Sequence, residues 1–167
     1  MSRSQNAYTA PSLAILLLEL ALAPAGSEAG PRRPGYIDAS SYLQSDAEYE
    51  AWFTLRRQLG RNFDDICGDT FCEGEYTNIQ SMRYVCSVQR LTGRIGQCTW
   101  SFAASEESVD GLRGTIDVDA PAWSCPSPLA AGTRIEELLE ALQGDEPLYA
   151  ALPGGIHTLY DGLVECL

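Results

Sequence analysis

MRYVCSVQRLTGRIGQCTWSF, residues Met82–Phe102, is the stretch of sequence that decides the fold. Its centre, residues 91–93, is typical of a three-residue hairpin loop in which the glycine adopts a left-handed backbone conformation. Such a loop places Cys86 directly opposite Cys98 on two antiparallel strands. Cysteines that face each other across a strand pair come within disulfide-bonding distance. The stretch therefore predicts a β-hairpin whose strands are joined by a disulfide bond.

The register of this hairpin, which pairs Arg90 with Arg94, predicts one apolar face and one mostly polar face. The apolar face is expected to carry Met82, Tyr84, Cys86, Val88, Cys98, Trp100 and Phe102. Val85 and Ile95 are exceptions, since they fall on the polar side. One apolar and one polar face are typical of an antiparallel pair that is half buried.

The first 29 residues have the pattern of a secretory signal peptide. Residues 12–23 form an apolar run that is too short to span a bilayer, and Arg3 precedes it. The small-x-small triplet at 27–29 is an acceptable cleavage site. We therefore predict that residues 1–29 are removed and that the remaining chain is secreted to the periplasm or the extracellular space.

The charge of the remaining chain is strongly negative. It holds 10 arginines, no lysine and 21 acidic residues. Nucleic acids and anionic membranes are therefore poor partners, whereas a basic protein is electrostatically compatible. The absence of lysine excludes a Walker-type phosphate loop and a lysine Schiff base.

The six cysteines form an even set, which in a secreted chain predicts three disulfide bonds. They are Cys67, Cys72, Cys86, Cys98, Cys125 and Cys166. Once Cys86–Cys98 is fixed, three arrangements remain, of which we favour Cys67–Cys72 with Cys125–Cys166. The spacing within the set matches neither the paired ligands of a zinc site nor a Cys-x-x-Cys redox pair.

The elements around the hairpin predict a single domain over residues 45–167, preceded by an extended lead-in at 30–44. Ser45 and Glu48 form a capping box that starts a helix ending near Ile66. The buried stripe of this helix is expected to contain Tyr49, Trp52, Phe53, Leu59, Phe63 and Ile66.

Three further elements are expected after the hairpin. Residues 115–120 alternate between apolar and acidic and predict a third strand, after which prolines end the sheet. Residues 133–136 form a second capping box, and Gly144 ends the helix that follows. A last amphipathic helix is expected from about Ile156 to Cys166. The predicted fold class is α+β: a three- to four-stranded antiparallel sheet with an N-terminal helix and two C-terminal helices, held by disulfide bonds.

The most acidic stretch, residues 64–75, is the predicted binding surface. Its carboxylates are Asp64, Asp65, Asp69, Glu73 and Glu75. A calcium-binding loop is an alternative, since calcium prefers oxygen ligands, but the spacing departs from the EF-hand pattern at several positions. We therefore interpret the stretch as a solvated loop held by Cys67–Cys72.

The functional hypotheses rest on the lack of any catalytic motif. The leading hypothesis is a small secreted acidic binding protein without catalytic activity, such as an inhibitor or an immunity protein that neutralises a basic enzyme. The second is an envelope-associated structural or accessory protein. The third is a hydrolase that uses a carboxylate pair, with Glu106 and Glu107 among the candidates, or His157, the single histidine. We assign no catalytic residue, no metal ligand and no cofactor.

Overall fold

The computed structural model describes residues 35–167 of the chain. The predicted signal peptide lies outside the described residues. The strands are β1 (Tyr36–Asp38), β2 (Gln80–Gln89), β3 (Ile95–Ala103), β4 (Glu106–Val109), β5 (Ile116–Asp119) and β6 (Ala122–Pro126). The helices are α1 (Ala39–Tyr42), α2 (Asp46–Ile66), α3 (Ile135–Ala141) and α4 (Leu159–Val164), with a π-helical turn at Cys67–Phe71.

The main sheet has four antiparallel strands in the order β1-β2-β3-β6. Strands β4 and β5 form a separate two-stranded sheet. Helix α2 packs on the apolar face of the main sheet, where the ring of Phe63 lies 4.7 Å from that of Phe102 and 6.0 Å from that of Trp100, centroid to centroid. The predicted α+β class is therefore confirmed.

The centre of the β2–β3 hairpin has the predicted register. Cys86 lies opposite Cys98, and Tyr84 lies opposite Trp100. These four residues are buried, and so are Val88 and Phe102. The predicted apolar face is confirmed except for Met82, whose surface is 62% exposed.

Two β-bulges explain where the predicted register fails. Met82 is an extra residue on β2, because Ser81 pairs with Phe102 and Arg83 with Ser101. A bulge moves the next side chain to the other face of the sheet, so Met82 points away from the core. Gly96 is the extra residue on β3, and Ile95 consequently pairs with Val88 and packs against the core.

The hairpin loop is one residue longer than predicted. The backbone N–H of Gln89 donates to the carbonyl of Arg94 at 2.8 Å, so the loop spans residues 90–93 and Arg90 does not pair with Arg94. Gly93 has a φ of +70°, as expected for the glycine that closes the turn.

The lead-in predicted at 30–44 has regular secondary structure from residue 36 onward. Residues 36–38 form β1, which pairs with Ser87–Gln89, and α1 follows immediately. The carboxylate of Asp38 caps α1 by accepting the backbone N–H of Ser40 at 2.8 Å. The backbone is thus extended at 36–38, and the short helix α1 is the element that the sequence did not predict.

The third strand of the main sheet is not the predicted one. Residues 116–119 form β5, but this strand pairs with β4 and not with the main sheet. The neighbour of β3 is β6, which includes Pro126, one of the prolines that were expected to end the sheet. Proline is tolerated there because β6 is an edge strand and a missing N–H can face outward.

Helix α2 begins and ends where the sequence predicts. Ser45 and Glu48 form the expected capping box. Two positions of its stripe differ from the prediction, since Phe53 is 43% exposed and Leu55 is buried. Buried Asn62 links α2 to the bend after α3, because its side-chain amide donates to the carbonyl of Asp145 at 2.9 Å.

The two C-terminal helices are present but shifted. The predicted N-cap of α3 was Thr133, whereas the helix is capped at Arg134, whose N–H is accepted by the carboxylate of Glu137 at 2.9 Å. Helix α4 is capped by Thr158 and is shorter than predicted. Ile156, the expected first residue of its apolar stripe, is 89% exposed.

Three disulfide bonds join the cysteine pairs that the sequence favours: Cys67–Cys72, Cys86–Cys98 and Cys125–Cys166. The last connects β6 to the residues just after α4. Such crosslinking is consistent with an oxidising compartment. Among the helices of residues 35–167, none has both the length and the apolar character needed to cross a bilayer.

Candidate functional site

The five predicted carboxylates are exposed but are spread along two turns and a helix end. Asp64 and Asp65 lie in the last turn of α2, Asp69 lies in the π-helical turn, and Glu73 and Glu75 follow it. The described part of the chain contains no group of three or more histidine, cysteine or acidic residues placed to hold a metal ion. These carboxylates therefore form an extended acidic surface.

The far end of this surface adjoins the β4–β5 hairpin. The hydroxyl of Tyr76, the residue after Glu75, donates to the carboxylate of Asp119 at 2.5 Å. The pKa of Tyr76 is raised to about 12, chiefly by this hydrogen bond and next by loss of water around the hydroxyl, and the negative charges of Asp119, Glu75 and Glu106 act in the same direction. The acidic stretch and the hairpin consequently form one continuous negative region.

Two more contacts fix the base of the hairpin. The side chain of Asn78 accepts the backbone N–H of Ser105 at 3.0 Å and donates to its hydroxyl at 3.2 Å. The ring of Tyr76 packs edge-on against that of Trp123, with centroids 5.6 Å apart. Residues 76–78 therefore attach the start of β4 and the end of β5 to the main body.

We name residues 106–119 the arm. Its register places Glu107 opposite Val118 and Val109 opposite Ile116. Because paired residues share a face, Glu107 lies on the same face of the arm as three apolar residues, Val109, Ile116 and Val118. These side chains are 75%, 66% and 62% exposed, and Leu112 in the loop is 99% exposed.

The opposite face of the arm is acidic. It carries Glu106, Ser108, Asp117 and Asp119, with Glu106 directly opposite Asp119. Like charges in a directly opposed pair destabilise a two-stranded sheet. The arm therefore presents an uncovered apolar face and a second face where two carboxylates repel each other.

The near end of the acidic stretch faces a different part of the molecule. Asp65 lies close enough to Tyr149 for its charge to help raise the pKa of that tyrosine, although partial burial is the larger cause. Glu146 acts on the same hydroxyl. The carboxylates at the two ends of residues 64–75 thus have different surroundings, and those nearest the arm are the better candidates for a shared contact surface.

His157 lies on the surface before α4, with its side chain 64% exposed. Its Nδ1 is 3.9 Å from the carboxylate of Asp161. That carboxylate also caps α4, since it accepts the backbone N–H of Thr158 at 2.7 Å. Glu106 and Glu107, adjacent candidates for a carboxylate pair, point to opposite faces of β4. His157 therefore has the carboxylate of Asp161 beside it, whereas Glu106 and Glu107 do not share a face.

Sequence reasoning missed the apolar face of the arm, although the signal was present. The alternation at 116–119 correctly predicts a strand. The same pattern would also fit an edge strand of the main sheet, which is where the sequence analysis placed it. The four residues of β4 contain one apolar side chain, Val109, so their sequence lacks the alternation that predicts a strand. Comparison with protein families, curated proteins and solved structures found no match for this chain.

Proposed function

We propose that this protein is a small secreted binding protein without catalytic activity that acts in the periplasm or outside the cell. Its partner is a basic protein, and the contact surface consists of the arm together with the neighbouring acidic residues Glu73 and Glu75. Neutralisation of a basic secreted enzyme, as by an inhibitor or an immunity protein, belongs to this class. The three disulfide bonds support the compartment.

The single observation that carries the proposal is the uncovered apolar face of the arm. A two-stranded hairpin is marginally stable by itself, and this one leaves Val109, Ile116 and Val118 in water. Exposed apolar side chains that are contiguous and rimmed by polar residues mark protein interaction sites. Burying this face against a partner would both remove apolar surface from water and stabilise the arm.

The charge of the surrounding surface selects the kind of partner. Glu106, Asp117 and Asp119 occupy the other face of the arm, and Glu75 adjoins it through Tyr76. A partner that brings arginine or lysine to this region relieves the repulsion between Glu106 and Asp119. A neutral or acidic partner would leave that repulsion in place.

The experiment is affinity capture of the oxidised protein in the secreted fraction of its own source, with quantitative mass spectrometry. Two arm variants separate the contributions: Ile116→Ser with Val118→Ser removes the apolar face, and Glu106→Gln with Asp117→Asn removes charge. Glu165→Gln is the matched control, because Glu165 is an exposed acid next to α4. The variants preserve Asp119, so the hydrogen bond to Tyr76 is retained.

The expected result is one enriched basic protein whose capture falls at least about tenfold with either arm variant and is unchanged by Glu165→Gln. Its association rate should fall as salt increases, and charge reversal at Glu73 and Glu75 should slow association further. Equal capture by the wild-type protein and by both arm variants would reject the arm as the contact surface.

A further inference from the structure

A second surface of opposite charge lies between α2 and β2. It is an open groove with a volume of about 420 Å³. Its lining residues all belong to the described chain and include three arginines and no carboxylate: Phe53, Arg56 and Arg57 from α2, Ser81, Met82, Arg83 and Tyr84 from β2, and Trp100 from β3. We name it the arginine groove. Three guanidinium groups at one place are notable in a chain whose net charge is −12.

The guanidinium groups of the arginine groove remain accessible. Arg57 pairs with Glu50 at 3.0 Å and Arg83 with Asp38 at 3.3 Å, yet both arginine side chains are more than half exposed. Such surface pairs contribute little free energy, so a competing carboxylate can replace them. Arg56 lies over the ring of Phe53, with its guanidinium carbon 5.8 Å from the centroid.

The outer edge of β2 is open along this groove. Strand β1 pairs with β2 only at Ser87–Gln89. Within residues 35–167, no strand pairs with the outer edge of Gln80–Cys86. An open edge offers unpaired backbone donors and acceptors to any extended chain.

The direction of these backbone groups follows from the hydrogen bonds of the sheet. The carbonyl of Cys98 accepts the N–H of Ser127 at 2.9 Å and therefore points toward β6. Because Cys86 lies directly opposite Cys98, the backbone groups of Cys86 point the other way, toward the outer edge. Those of Tyr84, two residues earlier on the regular part of β2, point in the same direction.

Apolar side chains flank the open edge on both sides. The bulge turns Met82 outward, where it is 62% exposed, and Phe53 on α2 is 43% exposed. Bulges occur next to binding sites because they redirect a side chain. The groove thus combines backbone hydrogen-bonding groups, positive charge and apolar contact surface.

We infer that the arginine groove binds an extended acidic peptide segment of another protein, which adds as a strand to the outer edge of β2. Alternate side chains of the added strand would face Arg56 and Arg57 on α2, and the remaining ones would face Arg83. Carboxylates at these positions match the planar guanidinium groups. The site goes beyond the proposed function, since it uses a different surface and selects a partner of opposite charge.

The open shape of the groove argues against a small anion as its ligand, and its positive charge argues against a second copy of this chain. A small anion would remain largely exposed there, whereas ligand sites normally bury most of the ligand surface. A second copy of this chain, paired edge to edge, would bring two sets of three arginines together. An acidic strand meets neither obstacle.

The test is a fluorescence anisotropy titration of the full oxidised protein with an end-blocked, labelled octapeptide of alternating glutamate and valine. A peptide with glutamine in place of glutamate controls for charge. Two further peptides carry N-methyl groups on alternate residues, one on each side of the strand, which blocks backbone pairing along one edge only. The expected results are at least about tenfold weaker binding of the glutamine peptide and of one N-methylated peptide, but not the other.

Variants locate the site. Arg56→Gln with Arg83→Gln should weaken binding of the glutamate peptide about tenfold, and Arg113→Gln, which removes an exposed arginine from the arm, should leave it unchanged. The groove variant should also leave capture of the basic partner unchanged, so failure of this inference is distinguishable from failure of the proposed function. Equal binding of both N-methylated peptides, displacement by inorganic phosphate, or an edge-paired dimer in sedimentation would overturn the inference.

Discussion

The β2–β3 hairpin and the arm are both antiparallel pairs with one apolar face, but only the first buries that face. Tyr84, Trp100 and Phe102 are at most 3% exposed beneath α2. In the arm, Val109, Ile116 and Val118 are all more than half exposed. The same local pattern therefore forms a core in one place and a bare surface in the other.

The difference follows from what surrounds each hairpin. Strands β2 and β3 have ten and nine residues, have further strands beside them and carry the Cys86–Cys98 bond. The strands of the arm have four residues each and are attached at their base through Tyr76 and Asn78. The apolar face of the long hairpin stabilises the fold, whereas that of the arm is available for a partner.

The largest expected effect is the difference in the free energy of unfolding between matched substitutions in the two hairpins. Phe102→Ala leaves a cavity beside Phe63 and should lower the free energy of unfolding by about 3–5 kcal/mol. Ile116→Ala on the arm should change it by less than about 0.5 kcal/mol, because its side chain is already in water. Denaturant unfolding monitored by circular dichroism measures both. Similar losses for the two variants would show that the arm buries Ile116 in solution.

The second-largest expected effect is the loss of stability when a disulfide bond is removed. Cys125 and Cys166 are 41 positions apart, whereas Cys67 and Cys72 are five apart. In the chain-entropy model, replacing the first pair by alanine costs roughly 4 kcal/mol and replacing the second roughly 2 kcal/mol. The arm contains no cysteine, so its apolar face should still bind the partner in the Cys67→Ala, Cys72→Ala variant. Thermal unfolding gives the order of stability, and a reversed order would contradict the entropic argument.

The sequence could predict the centre of the main hairpin because several constraints agree there. Gly93 marks the turn, and Cys86 and Cys98, which are equally distant from Thr92, face each other. The extra residue in the loop does not change this pairing, because the bulge at Gly96 compensates for it. The sequence of the hairpin carries no signal for the bulges at Met82 and Gly96, and Gly96 has a close neighbour outside the hairpin. A Cβ at Gly96 would lie only 2.8 Å from the ring of Tyr36 on β1, a strand too short to predict.

The alternation of apolar and acidic residues predicted that 116–119 form a strand but not which sheet they join. Alternation along a strand shows that its two faces have different polarity, but it does not show which strand pairs with it. The partner of β5 lies seven positions earlier at its nearest pair, Val109–Ile116, in a stretch with little alternation of its own. The strand beside β3 was concealed by prolines that an edge position tolerates.

Of the candidate sites, the sequence could predict only where the negative charge is concentrated. Composition identified the acidic stretch, and Glu75 does lie beside the arm. The contact of Tyr76 with Asp119 joins residues 43 positions apart, and the arginine groove depends on how α2 crosses β2. Neither relation leaves a periodic signal in the sequence, because both arise from tertiary packing.

The smallest expected effect comes from the hydrogen bond between Tyr76 and Asp119, which helps to attach the arm to the main body. The hydrogen bond to Asp119 raises the pKa of Tyr76 from 10.0 to about 12, which means that the folded protein favours the neutral phenol. Its contribution to stability is therefore fully present below pH 10.0 and is lost as the pH rises through about 12. Tyrosinate absorbance of the wild-type protein minus that of Tyr76→Phe should show a midpoint near the upper value. A midpoint at the ordinary value would mean that Tyr76 and Asp119 are apart in solution and that the arm is held at its base by Asn78 instead.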